Sequence, residues 1–174
     1  MSVWLNIFLK KYEEALNNDA VLKRRLNPMT TFIGGPTPYP GPGPYPPPNV
    51  AMDPTGWSKA KGYPVTKLVG RDVVEIEVPG QFVFTVRIND DKSFAVEARR
   101  GSNPCLKVSM PLDTFKAMAL GKERVIYALA DGRNEVQYDS SLGVSDWITV
   151  FGIIGKIQEL AESDPEIWNL LESL

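Results

Sequence analysis

Residues 34–48, Gly-Gly-Pro-Thr-Pro-Tyr-Pro-Gly-Pro-Gly-Pro-Tyr-Pro-Pro-Pro, constrain this chain more than any other feature of it. Each proline lacks a backbone donor and holds its own φ at about −65°, so neither a helix nor a central strand can run through such a stretch. An extended polyproline strap is expected, stiff where prolines crowd and pliable at Gly41 and Gly43. The 174 residues then divide into a helical N-terminal extension over 1–33, the Pro/Gly-rich strap over 34–60 and an α+β domain over 61–174. A chain of this length buries roughly 70% of its unfolded surface, enough for one shared core.

Before the strap the apolar period is helical. Trp4, Ile7, Phe8, Leu9, Tyr12 and Leu16 return at three and four residues after Ser2, which is placed to cap them. Asp19 is placed to cap a second helix running to Leu26, closed off by Pro28.

From Arg71 the period changes to two. Val74, Ile76 and Val78 share one face of a strand while Glu75 and Glu77 take the other. Phe82, Phe84, Val86 and Ile88 repeat the alternation after Pro79-Gly80, with Thr85 outward and expected to tolerate truncation. Phe94, Val96 and Ala98 follow a hairpin loop at residues 89–92, and Leu106, Val108 and Met110 follow a turn at 101–104. Four consecutive strands with one apolar face predict an antiparallel meander, and the alternation at 134–138 predicts a fifth strand. That face must be covered, and helical patterns follow: 112–120 with Phe115, Met118 and Ala119 inward, 145–160, and a short end helix from the Ser163-Asp164-Pro165-Glu166 start. The run 125–130 is compatible with either period. Val144, Trp147, Ile148, Val150, Phe151, Ile153, Ile154 and Ile157 leave almost no polar side on the long helix, so burial all round is expected there.

Composition removes several functions. A net charge of −2 without a long basic run offers no footprint for nucleic acid, and Lys23-Arg24-Arg25 reads as a solvated helix face. The chain has no histidine and one cysteine, Cys105. Ser-His-Asp and Cys-His nucleophiles, the usual zinc ligand sets and an intrachain disulfide are therefore excluded. Cys105 reads as a packed strand residue and points to a reducing compartment. Acid–base chemistry is left with lysines and with Glu75, Glu77, Asp90, Asp91 and Asp139, and the Glu75/Glu77 pair is expected simply to keep an outer strand face in water. Prolines in Gly34-Gly35-Pro36 and Gly41-Pro42-Gly43 stand where a phosphate cradle needs N–H donors. The longest apolar run, 147–154, is far too short to span a membrane, and the N-terminal run, broken by Asn6 and Lys10, does not read as a signal peptide. A cytoplasmic, non-enzymatic protein without metal or cofactor is expected.

One resemblance is carried by the second half of the chain. The hairpin over 82–101 is followed by Asn103-Pro104-Cys105-Leu106-Lys107-Val108-Ser109 and then by Leu112-Asp113-Thr114-Phe115-Lys116-Ala117-Met118-Ala119-Leu120-Gly121-Lys122. This order of a strand, a Phe-bearing helix and a Gly-Lys exit, with a further strand and a long apolar helix after it, resembles the sterol carrier protein type two family over roughly residues 72–160. The resemblance implies a sheet of about five strands backed by helices, with an apolar tunnel for a fatty acid, an acyl-CoA or a sterol-like lipid. Under it the tunnel wall would be drawn from Phe84, Val86, Phe94, Leu106, Val108, Met110, Phe115, Met118, Trp147, Phe151 and Ile154. The same residues are equally suited to a filled core. In that case function would pass to a protein partner docking on the polyproline strap, unless the strap is only a spacer anchored on its own domain by Tyr39, Tyr45 and Trp57.

Overall fold

The computed structural model describes residues 2–26 and 66–174. The Pro-rich strap with Tyr39, Tyr45 and Trp57 lies outside those residues, as do the boundaries drawn after 33 and 60.

Two helices open the chain, α1 (Val3–Asn17) and α2 (Ala20–Leu26). Ser2 takes the capping position with extended dihedrals, but its hydroxyl makes no capping bond. Asp19 does cap: its Oδ1 accepts from the N–H groups of Val21 and Leu22 at 2.9 and 3.0 Å.

Five strands follow: β1 (Arg71–Val78), β2 (Phe82–Ile88), β3 (Phe94–Glu97), β4 (Leu106–Ser109) and β5 (Glu135–Tyr138). They form one open α+β sheet in the order β3-β2-β1-β4-β5. Three pairs are antiparallel, but β4 lies parallel to β1, Ile76 facing Val108. The expected meander therefore stops at β3. Instead of turning back beside it, the chain crosses the outer face of β2 and β1 and enters the sheet on the far side.

The reason is written in the outward residues of β1. Asp72 and Glu75 are both buried, at 2% and 1% exposure, because the crossing segment lies on them. Glu75 Oε2 accepts from the N–H of Gly101 at 2.6 Å, and Asp72 Oδ2 from that of Ser102 at 2.7 Å. Asp72 also takes two bonds from Arg99, at 2.8 and 3.0 Å, which with the Ser102 N–H and Arg87 outweigh the opposing effect of burial and leave its carboxyl well below the usual range, at about 2. A Cβ on Gly101 would meet Thr85 Cγ2 and Pro104 Cβ at 3.3 Å, so the segment runs as close to the sheet as a glycine permits. Two expectations are thereby corrected. Glu75 is no solvating outer residue, although Glu77 does stay near water and pairs with Arg100 at 2.5 Å. Thr85 is fully buried, its hydroxyl donating to the Arg99 carbonyl at 2.7 Å.

The inner face carries Val74, Ile76, Val78, Phe84, Val86, Ile88, Leu106 and Val108, all buried. Four further helices close the fold: α3 (Leu112–Ala119), α4 (Val125–Leu129), α5 (Val144–Ser163) and α6 (Pro165–Glu172). Gly121, at φ +69°, turns the chain out of α3, and Asp164 caps α6 through the N–H groups of Glu166 and Ile167. The N-terminal helices belong to this core. Phe8 and Tyr12 stand edge-on to Phe84 at 5.9 and 6.2 Å, and Phe82 lies between Trp4 and Phe115 at 5.2 and 5.0 Å. The Tyr12 hydroxyl donates to the Ile153 carbonyl of α5 at 2.5 Å, and burial pushes its pKa up. The free edge of β3 is guarded by the same helix. Asn17 both donates to and accepts from the Phe94 backbone at 2.9 Å, and Glu13 accepts from the Val96 N–H at 2.8 Å.

Two outcomes follow from this packing. Phe84→Ala should cost about 3–5 kcal/mol as a core aromatic truncation, whereas Thr85→Ala, which takes the donor from the part-buried Arg99 carbonyl, should cost about 1–2 kcal/mol; chemical denaturation of both variants checks the order. The Asp72 carboxyl ionises more readily folded than unfolded, so its contribution is complete above the unfolded pKa near 4 and is lost as pH falls toward about 2. Asp72→Asn should accordingly lose about 2–3 kcal/mol at neutral pH, with a deficit that shrinks across that acid window. A deficit independent of pH would show that the carboxylate charge does not hold the crossing.

Candidate functional site

The eleven residues predicted to line a ligand site separate into two groups. Phe84, Val86, Phe94, Leu106, Val108, Met110, Phe115, Met118 and Ile154 are all buried within a single apolar cluster. Their neighbours are one another and the α1 aromatics, which occupy the space above β2 and β3. Trp147 is half-buried and packs against the border of that cluster, and Phe151 lies exposed on α5.

The reason is the course of α5. Its buried stripe, Val150, Ile153, Ile154 and Ile157, faces the sheet and α1. Its back is taken in part by α2, and Lys156 reaches Asp19 there at 2.5 Å. Over its first two turns nothing described covers the other side. Val144 is 77% exposed, Ile148 45% and Phe151 36%, which corrects the expectation of burial all round. These residues recur at three and four positions, so they form one stripe with Trp147.

The stripe continues onto the sheet. Tyr138 pairs with Leu106 and Val136 with Val108 across the β4–β5 ladder, so both belong to the inner, helix-covered side. Yet both are exposed, because β5 is the sheet edge and α5 leaves it uncovered. The Trp147 ring bridges the two elements, edge-on to Tyr138 at 5.9 Å and 6.0 Å from Phe151. The result is an apolar patch that joins β5 to the start of α5 at the border of the core. α4, which packs on α5, adds the exposed Ile126 and Tyr127. Contiguous exposed apolar surface of this kind marks interaction sites.

Two surface depressions lie elsewhere. One of about 310 Å³ at the end of β1 and β4 includes Met110, and it is bounded by Pro79, Pro111 and Arg133. The larger, about 590 Å³, lies on the outer face of the sheet over Glu75 and Lys107. Sequence reasoning missed this second place altogether, since Glu75 reads as an ordinary solvated acid until the crossing segment is seen to cover it. Cys105 is buried and its thiol pushed up to about 11 by that burial, which leaves it unreactive as a nucleophile at neutral pH. Among the described residues no helix is long and apolar enough to cross a membrane.

No family model and no curated protein matches this chain. Among solved structures it is similar to one described as UbiJ-SCP2, a ubiquinone synthesis protein, with a TM-score of 0.35 and 16% identity over 56% of this chain and 73% of that one. At that level of likeness no activity or ligand passes from one chain to the other.

Proposed function

We propose that the protein binds an apolar ligand of the fatty acid, acyl-CoA or sterol-like class without transforming it, and that the ligand enters between β5 and the first two turns of α5. The observation that supports this reading is the half-buried Trp147 joining the exposed Tyr138 and Phe151, beside the exposed Val144 and Ile148, on the side of the sheet whose other inward residues are buried. Leaving that much apolar surface in water costs about 25 cal/mol per Å², which a hydrocarbon chain lying along the stripe would recover. The core residues Met110, Phe115, Met118 and Ile154 would form the inner wall toward which the chain end points. Met side chains suit such a wall because they repack around different shapes.

The experiment is a titration with a fluorescent long-chain fatty acid, with acyl-CoA and sterol as competitors. Ile148→Asp places a carboxylate in the patch, where an acyl chain would have to desolvate it, and should weaken binding at least about tenfold. Because Ile148 is exposed, its melting temperature should stay within a few degrees of the parent. Ile154→Lys, in the core, should unfold the protein instead. Binding that is untouched by Ile148→Asp would move the site away from α5, and a parent protein that takes none of the three ligand types would overturn the reading.

A further inference from the structure

The outer face of the sheet carries a second site of different chemistry. One row of residues crosses all five strands there: Glu97, Thr85, Glu75, Lys107 and Gln137 stand side by side from β3 to β5. The crossing segment covers Thr85 and Glu75 in this row and leaves Glu97 and the residues beyond Glu75 open. Beyond it the depression of about 590 Å³ opens, with Glu75 at its floor and Arg71, Asn103, Lys107, Gln137 and Asp139 around it. That volume lies within the range of small-molecule sites.

Glu75 is 1% exposed, and its two oxygens are treated differently. Oε2 takes the Gly101 N–H, while Oε1 has no hydrogen-bond donor. The nearest cations, Arg100 Nη1 and Lys107 Nζ, both stop at 3.6 Å, beyond hydrogen-bond reach. A buried carboxylate oxygen without a donor is costly, so a donor brought into the depression is strongly favoured at this point. The other ion pair in the lining is self-contained: Arg71 donates to Asp139 at 3.0 Å, and Asp139 also holds the Ser141 hydroxyl and N–H.

The lining charges cancel, two positive (Arg71, Lys107) against two negative (Glu75, Asp139), so neither a phosphate nor a polyamine finds a net attraction. What remains unspent is an acceptor at Glu75 Oε1 beside the Lys107 ammonium, with the side-chain amides of Asn103 and Gln137 at the rim. A hydroxyl group donates and accepts at the same atom, so it satisfies Glu75 and Lys107 together, and each amide can take a further hydroxyl. The geometry points to a binding site for a small neutral polyhydroxyl ligand, a sugar or polyol, with Glu75 Oε1 accepting one hydroxyl proton and Lys107 donating to the same oxygen. The site lies on the outer side of the sheet, and Tyr138 at the edge strand is the one residue that borders both it and the apolar patch.

Amide-resolved NMR titration of the full chain with glucose, galactose, ribose and myo-inositol tests this, with inorganic phosphate and ethanolamine as charged controls. At least one of the four should shift the Gly101, Lys107 and Gln137 amides saturably, and neither control should. Glu75→Gln keeps an acceptor for Gly101 but loses the carboxylate, and should weaken that binding about tenfold, the worth of one charge-assisted bond. Gln137→Ala, at an exposed position of an edge strand, is a second variant that leaves the crossing segment untouched and should weaken binding severalfold. Either variant binding like the parent, a charged control binding in place of the polyols, or no shift with any of the four, which would leave the depression to water, overturns the inference.

Discussion

The fold depends on two carboxylates that point away from its core. Asp72 and Glu75 leave the outer side of β1, the side a strand normally gives to water, and bind the backbone of the segment connecting β3 to β4. A parallel neighbour for β1 needs such a crossover, and crossovers are usually helices that bring their own hydrogen bonds with them. This one is a short irregular segment. Its N–H groups must find acceptors elsewhere, and the β1 carboxylates supply them, with Arg99 and Arg87 balancing the Asp72 charge. Remove the acids and the segment has no reason to lie on the sheet, and β4 has no path to its place beside β1.

On the inner side the equivalent part is played by α1. Its aromatic residues fill the ground above β2, its hydroxyl at Tyr12 ties it to α5, and Asn17 and Glu13 occupy the edge of β3 that would otherwise invite another strand. Lys11 extends the tie to the far end of the chain, bonding Asp164 at 2.7 Å at the start of α6. A segment read as an extension thus closes the core at three places. This also limits where a ligand can go, since the volume over β2 and β3 is already spent on protein side chains, leaving the β5 side as the open quarter.

Much of this was legible in the residue pattern, and the exceptions share a cause. The period-two runs gave all five strands, and the inward positions Val74, Phe84, Val86, Leu106 and Val108 are buried as their alternation requires. Asp19 and Asp164 cap the helices their positions announced. Periodicity reports what each residue's own strand or helix does, however, and it is silent about what passes over it. Glu75 and Thr85 sit in the outward phase and are buried by a loop 14 to 26 residues away in sequence, an encounter no local pattern encodes. The position of β4 failed for the same reason: alternation is identical in a parallel and an antiparallel neighbour, so the order of strands is decided by the connection. For the candidate site, Trp147 and Phe151 were recognised as apolar residues of α5, but their exposure depends on how far that helix extends beyond the sheet.

That overhang is the last link between fold and proposed function. α5 has 20 residues, a length of about 30 Å at 1.5 Å per residue, and its partners are distributed unevenly along it. From Val150 onward it has the sheet beneath it and α1 and α2 around it, and apart from Phe151 its apolar residues are buried. Before Val150 the helix still buries Asp146 and Thr149 and packs Trp147 on the core, but Val144 and Ile148 are exposed, as are all the side chains of β5, the four-residue edge strand that Trp147 meets at Tyr138. A helix whose sole purpose was to seal the core would turn polar at that point, as α6 does on its outer side. α5 instead leaves Val144 and Ile148 in water on either side of the half-buried Trp147, while Asp146, at N3, bonds back to the Gly143 N–H and fixes the first turn in place. The exposed stripe is therefore held rigidly by a capped helix start and an aromatic contact to Tyr138, and apolar surface that is both exposed and fixed is suited to receiving a ligand without first paying to order itself.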